Sequence, residues 1–290
     1  MTSMLSPLKA IIVLFLLYSS LVFGKDYSNS NDPQILIISP QIALPIGVKI
    51  WFNESGGSVD GLTAWNDGED FASLGIGHFV WLPYSQKNKN RASFNSGFPK
   101  LVRYIEKKGG KAPLWLRGAI YCPWSTRQEF LQAQNSPRMA ELRLFLQKTI
   151  PIQAECMVKH LEEILPELLA SAPPEDRQFI YHKFHTLART PAGIYALVDY
   201  LNFKGAGISS SLQNYKHGSG LLHVLKGMKF APPNSTPLQA YVWSAKNALI
   251  RRVERASPSS HHERWLGGWF NRLNTYLEGD YLGTTQLAIN

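Results

Sequence analysis

The sequence predicts a mainly α-helical fold carrying a small β-hairpin subdomain, an α+β architecture. Helix-start signals recur after residue 98: Ser125 is followed three residues on by Gln128 as in a capping box, and Ser136-Pro137 and Thr236-Pro237 each pair a capping hydroxyl with proline at the first helical position. From Gly56 to Gly77 there are six glycines, interleaved with Leu62, Trp65, Phe71, Leu74 and Ile76, a pattern of short strands and tight turns. Strands are expected only between 57 and 82, and no internal repeat or low-complexity block breaks the chain.

Taken in order, helices are expected near 45–55, 98–108, 125–134, 136–148, 151–170, 174–188, 190–203, 219–228, 236–256 and 259–278. The first is set by Ile46, Ile50 and Glu54, which are spaced by four and share one face. Gly56-Gly57 then stops it, because glycine takes the left-handed cap conformation without a steric penalty. The segment 84–97 holds Lys87, Lys89 and Arg91 between Tyr84 and Phe94, and reads either as a lid over a cleft or as a solvated connection.

The start of the chain reads as a targeting segment. Lys9 supplies the positive charge, Ala10 to Phe23 is almost wholly apolar, and Val22-Phe23-Gly24 ends it, so residues 1–24 are expected to be a signal peptide cut after Gly24. Residues 25–44 follow as an N-terminal leader, and 45–290 as one catalytic domain with length enough for a substantial core. This predicts a periplasmic or secreted protein that touches the membrane only through its signal peptide.

The formal net charge of +9 falls by one once Lys9 is removed. An exported basic monomer meets the cell envelope rather than nucleic acid, and a positive surface raises its encounter rate with carboxylate-bearing glycan. Cys122 and Cys156 either pair in an oxidising compartment or remain thiols, Cys156 within an amphipathic helix. No cofactor is implied. The tract His261-His262-Glu263 lacks further ligands at metal-binding spacing, and reads as the solvated start of the last helix. Acyl and phosphoryl transfer are disfavoured because the chain has neither a Gly-x-Ser-x-Gly elbow nor a phosphate-cradling loop.

The chemistry is concentrated at Glu54 and in Asp67-Gly68-Glu69-Asp70-Phe71-Ala72-Ser73-Leu74-Gly75-Ile76-Gly77-His78. Glu54 shares a helix face with apolar side chains and ends at the lip of a cleft, where a carboxyl is partly desolvated, as a general acid requires. A glycine-rich hairpin folds Asp67, Glu69 and Asp70 back towards it. Extended backbone would set Asp67, Glu69 and Phe71 on one side and Asp70 on the other, which makes Asp70 the weakest candidate and Glu69, with the longer reach, the strongest. Trp65 and Trp81, together with Trp51, surround the motif and either stack on sugars or fill the core.

Ser73-Leu74-Gly75-Ile76-Gly77-His78 resembles the Thr-Ile-Gly-Ile-Gly-His motif of phage-type lysozymes. The resemblance continues at Ile194 to Gly205, similar to a buried helix ending in Asn or Gln and a glycine, and at Ala248 to Glu254, similar to a C-terminal Arg-Arg helix. It implies a lysozyme-like fold that cleaves β-1,4 bonds of peptidoglycan or a related aminosugar polymer. Glu54 then corresponds to the acid, Asp67, six residues before Ser73, to the second carboxylate, Ser73 to a water-holding hydroxyl, and His78 to a residue of the substrate cleft. The stretch from Glu54 to His78 is longer than in the short phage enzymes, so Glu69 competes with Asp67 for the second role. The same resemblance admits a lytic transglycosylase or a chitosanase or chitinase, and a non-catalytic glycan-binding protein is the alternative from another class.

Overall fold

Ser39 is extended (φ −72°, ψ 156°) and Pro40 takes the first helical position, where a missing N–H costs nothing, so the chain turns helical at this point. The computed structural model describes residues 38–86, 97–208, 218–257 and 261–278. The signal peptide, residues 25–37 of the leader and the Lys87, Lys89, Arg91 and Phe94 segment lie outside the described residues.

Helix α1 spans Pro40–Ser55 and so begins five residues before the expected 45; residues 40–44, assigned to the leader, belong to the fold. Pro45 sits inside it and is buried, giving up one backbone hydrogen bond for a place in the core. Three short strands follow, β1 (Thr63–Ala64), β2 (Ala72–Leu74) and β3 (Phe79–Trp81), in an antiparallel sheet of order β1-β2-β3. The expected hairpin is thus a three-stranded meander within the expected span. Its register sets Ser73 opposite Ala64 on one side and Val80 on the other.

The rest is helical: α2 (Phe98–Lys107), α3 (Arg127–Gln132), α4 (Pro137–Lys148), α5 (Ile150–Ser171), α6 (Pro174–Ala188), α7 (Pro191–Lys204), α8 (Leu221–Gly227), α9 (Pro237–Glu254) and α10 (Leu266–Asn274). Ser136 and Thr236 cap as expected, Thr236 with Gln239 in a full capping box. At α3 the box is displaced by one residue. Thr126, not Ser125, accepts from Glu129 N–H, and the Glu129 carboxylate returns to the Ser125 N–H at 2.8 Å. The last expected helix is broken into 3₁₀ turns at His262–Trp265 and Thr275–Leu277 around α10.

α7 is buried along Gly193–Leu201 and packs against α1, α5, α6 and α8, which makes it the central rod of the core. Gly47 lets α1 lie close on α5, since a Cβ there would come within 2.9 Å of Ile150 Cγ2. Cys122 is buried and Cys156 half-buried, both as free thiols, and burial pushes each thiol up to about 12, far from the reactive thiolate. Among the described residues no helix is long and apolar enough to cross a membrane.

Candidate functional site

Glu54 lies in the final turn of α1, where Gly56, left-handed at φ 63°, donates its N–H to Phe52 O and closes the helix. Its side chain is only 14% exposed. Oε1 accepts from Asn202 Nδ2 at 3.0 Å and from Arg272 Nη2 at 2.5 Å. Oε2 faces His78, whose Nδ1 is 3.6 Å away, too far for a good hydrogen bond. Two donors therefore saturate one oxygen and leave the other towards the sheet.

The sheet side is held rigidly. Gly75 is left-handed at φ 73°, and its N–H bonds to Leu62 O. The next amide, Ile76 N–H, donates to Oε1 of the fully buried Gln153, whose amide nitrogen is tied to Leu146 O and Thr149 Oγ1. This anchored turn delivers His78, itself at φ 50°, towards Glu54. Glu54, Glu69, Ser73 and His78 line one cavity of about 300 Å³, with Phe71, Val80, Asn202 and Phe203 among its other walls.

Three sequence expectations are corrected. Asp67 is exposed and is not among the residues lining the cavity, because Asn66 to Glu69 forms a turn closed by Glu69 N–H to Asn66 O, with Gly68 at φ 75°. Strand alternation does not operate there, since β2 begins only at Ala72. Trp65 is buried, donates Nε1–H to Glu69 O at 2.8 Å and packs on Phe130; it shapes the Glu69 turn instead of presenting a face to sugar. Trp81 is fully buried among Phe98, Trp115 and Trp124 and donates to Ile120 O. Glu69 itself accepts from Asn66 Nδ2 at 3.2 Å.

Behind Glu54 lies a buried charge cluster. Asp199 on α7 is fully buried, and Arg272 on α10 meets it through two bonds, Nε to Oδ2 and Nη2 to Oδ1, each 2.8 Å. Asn53 Nδ2 reaches Asp199 Oδ1 at 3.2 Å and Tyr195 OH at 2.7 Å, while Tyr276 OH donates to Asp199 Oδ2 at 2.5 Å. Burial works against the Arg272 charge, but Asp199 and then Glu54 outweigh it and hold the guanidinium well above the usual arginine range. Burial, then Asp199, raises Tyr276, so its phenol remains a donor.

Asp199, Arg272 and Asn53 are site-supporting residues that the spacing arguments did not select. One signal was present: an aspartate inside the apolar run Ile194–Leu201 demands a cation, since a buried carboxylate is seldom left without a partner. Of the Arg251-Arg252 pair, Arg252 turns to Ser219 Oγ, and the guanidinium that reaches Glu54 is Arg272. Among the described residues no group of His, Cys, Asp and Glu is placed to hold a metal ion; His261 and Glu263 are exposed and 3.4 Å apart. No protein-family model, no curated protein and no solved structure matches this chain.

Proposed function

We propose that this chain is an exported, lysozyme-like glycoside hydrolase that cleaves β-1,4 bonds of peptidoglycan or a related aminosugar polymer. The observation that carries the reading is the cavity shared by Glu54 and Glu69, with Ser73 and His78 between helix end and sheet. The resemblance of Ser73 to His78 to the phage-lysozyme motif supports it independently.

In this reading Glu54 acts as the acid through Oε2, because Oε1 is taken by Arg272 and Asn202. The Oε2–H bond breaks as the proton passes to the glycosidic oxygen, and the sugar C1–O bond breaks to release the leaving sugar as an alcohol. A water attacks C1 and gives its proton to Glu69, with the Ser73 hydroxyl helping to hold it. Solvent then returns the proton to Glu54. Inversion of this kind requires carboxyl groups roughly 6.5–9.5 Å apart.

The test is mass spectrometry of fragments released from purified sacculi by the wild-type protein and by Glu54→Gln. Reducing-end muropeptides from wild type alone are expected. Anhydro products would transfer the site to lytic transglycosylation, and an absence of any cleavage would remove the enzymatic reading.

A further inference from the structure

A second cavity, of about 280 Å³, takes its walls from α2, α5 and β3, and α2 packs on both of the others. Phe79 of β3 lines it, whereas the next residue, Val80, lines the Glu54 cavity. Successive side chains of a strand point to opposite faces, so the two cavities lie on opposite sides of the sheet.

Helical spacing builds the remaining walls. Lys100 and Tyr104 on α2 are four residues apart, as are Cys156 and His160 on α5, so each helix turns one face to the cavity. Buried Phe79 and Leu101 give it an apolar floor. The Tyr104 ring is held from outside by the ammonium groups of Lys108 and Lys159, which lie 5.7 and 5.9 Å from its centroid.

The charges around this cavity do not cancel. Lys108 bonds to Glu155 at 2.8 Å and Lys159 pairs with Glu163 at 3.6 Å, while exposed Lys100 has no ion pair among the described residues. Burial pushes the Cys156 thiol up to about 12 and raises Tyr104, and burial, then Lys100, push His160 down to about 4, so all three are neutral near pH 7. One positive charge is left over. Gly97 also lines the cavity and opens α2 without a side-chain cap, so the positive end of that helix adds to the Lys100 charge.

The structure assigns to this cavity a binding site for a small aryl carboxylate, its ring against Phe79, Leu101 and Tyr104 and its acid at Lys100. Ligand sites combine an apolar lining with a few placed polar groups, and a volume at the lower end of their usual range of about 300–1,000 Å³ suits one ring with a short acidic arm. The assignment is independent of the glycan-hydrolase reading, because it concerns the other side of the sheet.

The experiment is calorimetric titration of the full protein with 3-phenylpropionate, with 3-phenylpropanamide and with propionate. Wild type is expected to bind 3-phenylpropionate about tenfold more tightly than either control, since the amide lacks the charge and propionate lacks the ring. Lys100→Gln should bring the acid down to the affinity of the amide. Cys156→Leu, which narrows the cavity, should weaken acid and amide alike, and Glu54→Gln should bind as wild type does. Circular dichroism identifies the folded variants, and Lys100→Gln, altered at an exposed position, keeps the test decisive if Cys156→Leu does not fold. No binding of the acid, equal binding of acid and amide by wild type, or full discrimination in folded Lys100→Gln would overturn the site. So would loss of binding in Glu54→Gln, which would place the ligand in the other cavity.

Discussion

Arg272 Nη2 lies 2.5 Å from Glu54 Oε1, joining the last described helix to the end of the first across 218 residues of chain. The contact determines which Glu54 oxygen is left facing His78. It also closes the domain, because the same guanidinium binds Asp199 in the middle of α7. Both partners are shielded from water, with Arg272 11% and Asp199 0% exposed at the side chain.

Removing the cation therefore leaves two carboxylates facing a low-dielectric interior. Arg272→Leu is expected to destabilise the fold by about 3–5 kcal/mol, read by urea denaturation. Adding Asp199→Asn to Arg272→Leu should recover a substantial part of that loss, because the neutral amide no longer needs a counter-charge. Additive losses in the double variant would mean that packing, not charge, holds α10 to α7.

The cavity ranks the carboxylates. Glu54→Gln should abolish turnover, a loss of at least about 10²–10⁴-fold, with the fold retained. Glu69→Gln is expected to cost orders of magnitude as well. Asp67→Asn, on the exposed turn, should have a small effect, and Asp70→Asn a nearly silent one. Rates of muropeptide release from sacculi decide the order, and Asp67→Asn proving more damaging than Glu69→Gln would reverse the assignment.

Acid should destabilise the protein through its buried and partly buried histidines. Burial, with Lys100 as a second cause, pushes His160 down to about 4, and burial also lowers His185 and His223. Their folded pKa values lie below the unfolded one of about 6.5, so the unfolded chain binds more protons between those values. The associated stability is fully present above about 6.5 and is lost as pH falls towards 4. Melting temperatures measured across this window should decline, and His160→Gln should flatten part of the slope.

The turn beneath His78 offers a test of positioning. A Cβ on Gly75 would lie 2.4 Å from Gln153 Oε1, and the residue already sits at φ 73°. Gly75→Ala is expected to cost about 1–3 kcal/mol. It should also lower activity beyond what its stability loss explains, because Ile76 N–H and with it the His78 loop must shift. An activity loss that vanishes when both proteins are assayed well below their melting temperatures would reduce Gln153 to a purely structural role.

Much of the local structure was legible in the residues themselves. Ser136-Pro137, Thr236-Pro237 and Gly56 act within a few residues of their own positions, so caps and stops follow from local backbone chemistry, and α4, α9 and the end of α1 fall where expected. Placement of Glu54 at a helix end and of Glu69 and Ser73 in a glycine-rich sheet region followed by the same logic. The failures have a common origin. Asp67 and Glu69 were placed on one face by strand alternation, but one left-handed glycine, Gly68, turns the segment before any strand begins. Trp65 and Trp81 look identical in sequence whether they face solvent or core, and only packing against Phe130, Phe98 and Trp124 decides it. Arg272, the strongest partner of Glu54, carries no local signal at all. Its position depends on α10 docking against α9 and the Thr275–Leu277 turn against α7, a long-range burial whose driving term is shared among many side chains and written in no single motif.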